Sequence, residues 1–354
     1  MSAIFDAYIL IVSLCWIGLV LVNVMPLAKR PKASPANPRY RPRTLVIVPC
    51  KGTDIELEKN LASLMGGSHD VVAVVDSAGD PAMRAIRRAK VSNIVSSSKC
   101  TGCSGKVRAI ATAIERMRGY DVYVVSDSDV RNTPDGISAL VAPLADRGVG
   151  VSTSWQYIKP VGGFWSKVKH VWGFVGNGLM ESELTRFAWG GAMAFRRDLL
   201  DKRSMQRFKG SVSDDIAITR TVKLKGLKIA YVPNSSLCVL ADDDFVSFTE
   251  WANRETALSL MGNTRLFRIG ALFYGAQMLL TVSGIMLSVL AGYLYLLLLV
   301  PAAISIARTY SRSGRRDMEI ALITFIMPFI YFSNLMSGRM MRSIVWRGNE
   351  YRLR

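Results

Sequence analysis

Two aspartates separated by one residue, Asp127 and Asp129, follow the apolar run 122–125 after a single serine. Two carboxylates with this spacing can hold one divalent cation through their oxygens, while a substrate diphosphate supplies the remaining ligands. A turn explains the same residues, since Asp and Ser are common in turns. The apolar run favours the metal site, because the aspartates are then the first charged groups at the carboxyl end of a buried strand.

A second acidic pair, Asp214 and Asp215, follows Ser213 at the start of another helical pattern. Two acidic sites in one domain suit a division of labour between them. One site would hold metal and diphosphate, and the other would remove the proton from an acceptor hydroxyl. Capping of the helix N-terminus explains the second pair equally well, so the sequence leaves both roles open.

The elements that must position these residues form a repeating pattern of short apolar runs and helical periodicity from Thr44 onward. The pattern predicts strands at 45–48, 71–75 and 122–125, and helices after Asp54, at 83–90 and at 104–118. Asp54 and Asp80 are expected to cap two of these helices. A doubly wound α/β sheet follows, with ligands expected at the carboxyl ends of its strands.

The composition indicates a membrane protein. Half of the residues are hydrophobic, and 45 Lys and Arg against 27 Asp and Glu give a net charge of +18. The mean hydropathy of +0.23 exceeds that of most soluble enzymes. Basic residues crowd beside apolar segments at 29–43, 308–316 and 339–354, which predicts contact with membrane lipids. No nucleic-acid-binding module accompanies the charge, so no nucleic-acid partner is expected.

The order of apolar and basic segments predicts how the chain meets the membrane. Residues 1–27 form a transmembrane helix, and 28–43 form a basic, proline-rich linker that marks the cytoplasmic side. The predicted segments that follow are a cytoplasmic catalytic domain (44–240), an interfacial segment (241–268), a helical hairpin turning near Ala291-Gly292 (269–307) and a basic C-terminal region (308–354). The apolar block 318–337 lies in the interface, re-enters or crosses.

Cysteine spacing gives a weaker signal. Of the five cysteines, only Cys100 and Cys103 have a spacing that suggests a pair. Zinc would need two further Cys or His ligands at comparable spacing, and His69 and His170 are the only histidines. We therefore expect a thiol pair or a local disulfide.

The order of several motifs resembles the family-2, GT-A-type glycosyltransferases of the cellulose-synthase-like membrane group. These motifs are Pro49-Cys-Lys-Gly52, Asp76 with Asp80-Pro-Ala, Lys106, Asp127-Ser-Asp129, Trp189 to Asp198, and Asp214-Asp215. Within that group the chain is similar to ceramide glucosyltransferases and to archaeal N-glycan mannosyltransferases. Its C-terminal segment, 346–354, also resembles the tail of the ceramide enzymes.

The resemblance implies a Rossmann-like GT-A domain with transmembrane and interfacial helices, and it implies a role for each matched residue. Asp76 would contact the nucleoside and Lys106 the donor region. Asp127 and Asp129 would hold the diphosphate and a Mn²⁺ or Mg²⁺ ion. Asp215 would be the general base.

One motif departs from the family. The usual (Gln/Arg)-x-x-Arg-Trp is here Trp251-Ala-Asn-Arg254-Glu255, which keeps only the arginine. Arg254 either contacts a donor phosphate or extends toward lipid headgroups as an interfacial arginine. The sequence leaves these two roles open.

The resulting functional prediction is inverting hexosyl transfer from a nucleotide-sugar donor to a lipid-linked acceptor on the cytoplasmic side. The resemblance favours mannose from GDP-mannose and an acceptor such as a dolichol-diphosphate oligosaccharide. The alternative is a UDP-glucose-dependent, ceramide-type glucosyltransferase. A more remote alternative is a haloacid-dehalogenase-like phosphatase, whose strand-ending DxDx(T/V) motif resembles residues 127–131 except that Arg131 occupies the Thr or Val position.

Overall fold

The computed structural model describes residues 2–24, 40–233 and 237–353. Most of the predicted basic linker, 28–39, lies outside the described residues, and so does Arg354. The strands are β1 (Thr44–Cys50), β2 (Asp70–Val75), β3 (Ser92–Val95), β4 (Val122–Ser126), β5 (Val130–Arg131), β6 (Val149–Thr153), β7 (Tyr157–Pro160), β8 (Ala192–Arg196), β9 (Lys228–Tyr231), β10 (Cys238–Ala241), β11 (Ser343–Trp346) and β12 (Asn349–Arg352).

Helices cover both faces of the main sheet and continue into an apolar bundle. They are α1 (Ser2–Val24), α2 (Leu57–Ala62), α3 (Ala82–Arg88), α4 (Gly105–Arg116), α5 (Pro134–Val141), α6 (Phe164–Trp172), α7 (Phe174–Glu181), α8 (Lys202–Phe208), α9 (Asp214–Leu224), α10 (Phe245–Gly262), α11 (Arg265–Leu290), α12 (Val300–Ser313) and α13 (Met318–Met340). In the described part of the chain, 3₁₀ segments lie at Ala142–Ala145, Arg197–Leu200 and Tyr293–Leu299.

The main sheet has seven strands in the order β3-β2-β1-β4-β8-β6-β9. Strands β1 to β4 run parallel, while β8 is antiparallel to both of its neighbours, β4 and β6. All five residues of β4 are buried, as are six of the seven in β1. Their continuous apolar sequences are explained because both faces of the sheet are covered. The predicted α/β class is confirmed, with a mixed sheet in place of a wholly parallel one.

The predicted helix caps are partly correct. Asp80 accepts a hydrogen bond from the Ala82 N–H (2.9 Å), as predicted. Ser104, which was not predicted as a cap, accepts one from the Val107 N–H (3.2 Å) at the start of α4. The prediction that Asp54 caps α2 is wrong, because the residue before α2 is Glu56, without a side-chain cap. The Asp54 carboxylate instead pairs with Arg347, a residue distant in sequence.

Among the described residues, four segments are long and apolar enough to cross a membrane: Asp6–Val24, Arg265–Leu290, Tyr293–Ser313 and Met318–Met340. At the position predicted for the hairpin turn, α11 ends at Leu290 and Gly292 has a φ of +123°. The transmembrane hairpin itself stays a prediction. The last apolar block forms one continuous helix through Pro328, and this helix is long enough to cross.

Two features connect the apolar helices with the main domain: a buried cluster and the hairpin that follows α13. A buried cluster brings Trp172 of α6 together with Phe248 of α10 and Ile323 of α13. The C-terminal strands β11 and β12 then form an antiparallel hairpin whose two turn residues, Arg347 and Gly348, both have positive φ. A two-residue turn of this kind matches the twist of a hairpin. The cluster and the hairpin both contain residues that line the site described below.

Candidate active site

A cavity of about 520 Å³ lies at the carboxyl ends of β1, β2 and β4. It is bounded by the start of α9, by α10 and by the β11–β12 hairpin. The sequence-predicted residues in its lining are Asp76, Lys106, Asp127, Asp129, Asp215 and Arg254. The structure therefore brings all six into one space, at the sheet edge where ligands bind in α/β folds.

Lys106 links the two acidic pairs. Its Nζ lies 2.7 Å from Asp127 Oδ1 and 3.2 Å from Asp214 Oδ2, and its side chain is 9% exposed. Burial alone would lower the pKa of Lys106, but Asp127, Asp214 and Asp215 together raise it. The ammonium group stays charged and neutralises part of the acidic cluster.

The Asp127-Ser-Asp129 turn is crowded with negative charge. Burial raises the pKa of Asp127 to about 7. The charge of Lys106 opposes this increase, and the charge of Asp129 adds to it. Burial and the neighbouring Asp54 raise the pKa of Asp129. The hydroxyl group of Ser128, between the two aspartates, donates a hydrogen bond to Asp54 Oδ2 (2.6 Å). This bond holds the turn against the segment that follows β1. A divalent cation would relieve this crowding by stabilising the ionised carboxylates.

The residues present fit a metal that takes further ligands from substrate. Within residues 2–24, 40–233 and 237–353, no three His, Cys, Asp or Glu side chains group closely enough to hold a metal by themselves. Asp127 and Asp129 supply hard oxygen ligands, which suit Mg²⁺ and Mn²⁺. Mg²⁺ is commonly bound by one or two carboxylates together with substrate phosphates. The donor set therefore suits a cation that arrives with a diphosphate.

The start of α9 separates the two aspartates of the second acidic pair. Ser213 caps the helix by accepting a hydrogen bond from the Ile216 N–H (3.2 Å), so the capping explanation applies to the serine. Asp214 is 3% exposed and faces Lys106. Asp215 Oδ1 accepts a hydrogen bond from the Gly190 N–H (2.7 Å), and its Oδ2 has no partner among the described residues. Asp215 therefore offers the cavity an oriented carboxylate with one free oxygen.

Gly190 makes this arrangement possible by having no side chain. A Cβ at this position would lie 2.2 Å from Asp214 Oδ2, 2.3 Å from Asp215 Oδ1 and 2.7 Å from Lys106 Nζ. The backbone can approach the acidic pair this closely only when the residue is glycine.

Asp76 lies between two cations. Lys51 Nζ is 3.0 Å from its Oδ2, and Arg108 Nη2 is 3.2 Å from its Oδ1. Burial would raise the pKa of Asp76, but Lys51 and Arg108 outweigh burial and lower it. The ionised carboxylate at the end of β2 can accept hydrogen bonds from a ligand, and its contact with a nucleoside stays a prediction.

Arg254 lines the cavity from α10, with its side chain 20% exposed and 3.5 Å from Glu255 Oε1. The neighbouring Trp251 packs edge-on against Trp172, with ring centroids 4.7 Å apart. This position favours a phosphate contact over an extended interfacial arginine. Its role stays a prediction.

The C-terminal hairpin contributes residues that sequence reasoning missed. Arg347 forms an ion pair with Asp54, and the Gly105 N–H donates a hydrogen bond to Tyr351 Oη (3.2 Å) beside Asp76. Burial would lower the pKa of Arg347, but Asp54 and then Asp129 raise it. The resemblance of this tail to the ceramide enzymes was the only sequence signal, and it assigned no role to the arginine.

Cys100 and Cys103 lie outside this cavity lining and are free thiols. Burial and the neighbouring Cys100 raise the pKa of Cys103 to about 12. A thiol with this pKa is almost fully protonated near neutral pH, so it is a poor nucleophile.

Replacing Arg347 with Gln is expected to weaken binding of a nucleoside diphosphate about tenfold or more. A charge-assisted hydrogen bond contributes about 1.5–3 kcal/mol, and tenfold in Kd corresponds to about 1.4 kcal/mol. Isothermal titration with the nucleoside diphosphate and Mn²⁺ measures the change. Arg352→Gln is the matched control, because Arg352 pairs with Ser343 in the same hairpin and lies outside the cavity lining. Equal affinity in the wild type and Arg347→Gln would show that the hairpin arginine does not contact the ligand.

Comparison with known proteins gives a family match and a structural likeness. Residues 7–354 match the sequence profile described as Glycosyl transferase family 21. The chain is similar to mannosyltransferase PcManGT from Pyrobaculum calidifontis in complex with GDP-Man and Mn²⁺, with a TM-score of 0.54 and 18% identity over 96% of each chain. No curated protein matches the sequence. The structural likeness confirms the predicted fold class.

A second structural likeness is more distant. Glucosyl-3-phosphoglycerate synthase from Mycobacterium tuberculosis, in complex with Mn²⁺, uridine-diphosphate and glucosyl-3-phosphoglycerate, has a TM-score of 0.44 and 13% identity. The alignment covers 66% of this chain and 88% of that chain.

Proposed function

The chain belongs to glycosyltransferase family 21, and from this membership we propose that it is an inverting, metal-dependent hexosyltransferase acting on a lipid-linked acceptor. The favoured reaction transfers mannose from GDP-mannose to an acceptor such as a dolichol-diphosphate oligosaccharide. The observation that carries the proposal is the joining of two acidic pairs by Lys106 within one cavity. Family membership favours glycosyl transfer over the phosphatase alternative.

Charge on the leaving group sets the first requirement of the reaction. A nucleoside diphosphate leaves readily only when its developing negative charge is neutralised. A divalent metal held by Asp127 and Asp129 would supply part of that neutralisation when bound. Lys106 and Arg347 would supply further positive charge, since both lie beside the Asp127-Ser-Asp129 turn.

Activation of the acceptor is the second requirement. Asp215 would accept the proton of the acceptor hydroxyl through its free Oδ2, while Gly190 holds its other oxygen. The hydroxyl oxygen then attacks the anomeric carbon from the face opposite the leaving group, so the configuration inverts. The step uses no covalent intermediate with the protein.

The donor could also be UDP-glucose. GDP-mannose follows the sequence resemblance to archaeal mannosyltransferases, whereas the tail at 346–354 resembles that of the ceramide glucosyltransferases. The UDP-glucose alternative has support of its own, because this tail lines the cavity through Trp346, Arg347, Asn349 and Tyr351.

Thermal shift of the purified full chain distinguishes these donors. A ligand that binds only the folded state at 100 times its Kd adds about 2.7 kcal/mol to the free energy of unfolding. We expect GDP-mannose with Mn²⁺ or Mg²⁺ to raise Tm more than UDP-glucose does, and the metal or the sugar nucleotide alone to raise it less. A larger shift with UDP-glucose would select the glucosyltransferase, and the absence of any metal-dependent shift would contradict both.

We also propose that the domain at 44–240 lies on the cytoplasmic side of the cell membrane. The first helix is followed by basic residues in 28–43, and α12 is followed by Arg315 and Arg316. Excess Lys and Arg beside the ends of transmembrane helices is typical of the cytoplasmic side. The apolar helices are compatible with membrane association. Under this arrangement α13 starts and ends on the cytoplasmic side, because the β11–β12 hairpin that follows it lines the catalytic cavity.

A further inference from the structure

A second cavity, of about 870 Å³, lies among α1, α7, α11, α12 and α13. Four of these five helices coincide with the segments that are long and apolar enough to cross a membrane. Val175 and Leu179 of α7 line both this cavity and the catalytic one, so the two adjoin along that helix. A ligand in the second cavity therefore borders the cavity that holds the two acidic pairs.

Two arginines near the end of α12 enter this cavity, and their partners differ. Arg312 Nη2 lies 3.0 Å and 3.2 Å from the two carboxylate oxygens of Glu181, which neutralise it. Arg308 Nη1 donates a hydrogen bond to the neutral side chain of Asn23 (3.0 Å). In the described part of the chain, Arg308 has no carboxylate within ion-pair distance. Glu183 also lines the cavity, but its side chain is exposed.

Arg308 is half-buried among apolar helices, where a guanidinium group without a counter-ion carries a desolvation cost. Leu280, Leu298 and Met327 contribute to the apolar wall of the cavity. Arg308 lies close to the C-terminal ends of α12 and of α1, which carries Asn23. Near the end of a membrane helix, long basic side chains reach the depth of the lipid headgroups. The anion at that depth is a lipid phosphate, which a guanidinium binds well because its planar donors match phosphate oxygens.

We propose that this cavity holds the phosphate of the acceptor lipid at Arg308, with the lipid chain along the apolar wall. This inference rests on the proposed glycosyltransferase function and specifies its acceptor as a phosphate-linked lipid. Arg308 and Asp215 line different cavities, so the bound phosphate is not the nucleophile. A saccharide on the phosphate extends past Val175 and Leu179 and presents its hydroxyl to Asp215. A neutral ceramide would leave Arg308 without a counter-ion.

Lipid binding to the full chain in phosphatidylcholine nanodiscs tests the proposal. The probes are a polyisoprenyl phosphate, the matching polyisoprenol and inorganic phosphate. Each is titrated, and the amount bound to the protein is measured by native mass spectrometry. We expect the polyisoprenyl phosphate to bind at least tenfold more tightly than either of the other two. Arg308→Gln should remove most of that difference, and Arg308→Lys should retain part of it. Arg116→Gln, an exposed arginine on α4, should bind like the wild type.

Three outcomes would overturn the proposal. Polyisoprenol binding as tightly as the phosphate would show that the headgroup is not recognised. Inorganic phosphate binding as tightly as the lipid would show a site for free anions. Unchanged lipid binding by Arg308→Gln would remove the arginine from the site. Donor-induced thermal shift, measured on the same variants, verifies their fold and separates this inference from the proposed function, because a normal donor shift can accompany a failed lipid titration.

Discussion

Replacing Asp127 and Asp129 together with Asn is expected to abolish the metal-dependent binding of the donor while the protein stays folded. Asn keeps the shape of Asp but is a weaker ligand for a hard divalent cation. The fold should tolerate the change, because it removes crowded negative charge and leaves Asp214 as a partner for Lys106. The roughly 2.7 kcal/mol of stabilisation expected from donor and metal at 100 times the wild-type Kd should disappear.

The pH dependence gives the same prediction a second readout. Metal binds the ionised carboxylate, and burial raises the pKa of Asp127 to about 7 in the metal-free protein. Metal binding must therefore displace a proton near neutral pH, and metal affinity should rise as the pH increases from about 6 to about 8. Titration of Mn²⁺ in the presence of the donor, followed by thermal shift, measures both effects.

Asp135→Asn is the matched control, because Asp135 is exposed on α5 and lies outside the lining of either cavity. This variant should keep the full metal-dependent shift. A double variant of Asp127 and Asp129 that retained the shift would remove both residues from the metal site. Loss of the shift in the control as well would point to a general effect of removing negative charge.

The parts of the fold that the sequence predicted are those encoded by local pattern. The apolar runs at 45–48, 71–75 and 122–125 are β1, β2 and β4, because strands buried on both faces are continuously apolar. The antiparallel strand β8 could not be predicted in the same way. Its residues, 192–196, are as buried as those of β4, and the direction of a strand depends on how the chain returns to the sheet.

The residues of the candidate site also differ in whether the sequence alone could identify them. Asp127 and Asp129 were identifiable because they end an apolar strand, and the sheet topology then brings them near the start of α9. Arg347 was not identifiable, because its pairing with Asp54 joins residues that are 293 positions apart. The same distant pairing explains why Asp54 does not cap α2, since its carboxylate is occupied by Arg347 and Ser128.

Replacing Asp215 with Asn is expected to lower the turnover number about 10²- to 10⁴-fold and to leave donor affinity nearly unchanged, because general-base catalysis contributes about that much to rate. The Asn side-chain oxygen can still accept the Gly190 hydrogen bond, so the local structure should survive. Asp214→Asn should have a smaller effect on turnover, since that carboxylate is buried against Lys106, which keeps Asp127 as its partner. Sugar transfer and nucleotide binding are measured side by side for both variants.

The pH profile separates a base from a residue that only shapes the site. Burial and then Asp214 raise the pKa of Asp215 well above that of an ordinary aspartate. A base acts only when deprotonated, so wild-type turnover should fall as the pH decreases through this raised pKa, and that acidic limb should be missing from the residual activity of Asp215→Asn. Near-normal transfer by Asp215→Asn, together with a large loss in Asp214→Asn, would assign proton removal to Asp214. Equal losses of donor affinity in both variants would instead place the pair in donor binding, where removing either carboxylate disturbs Lys106.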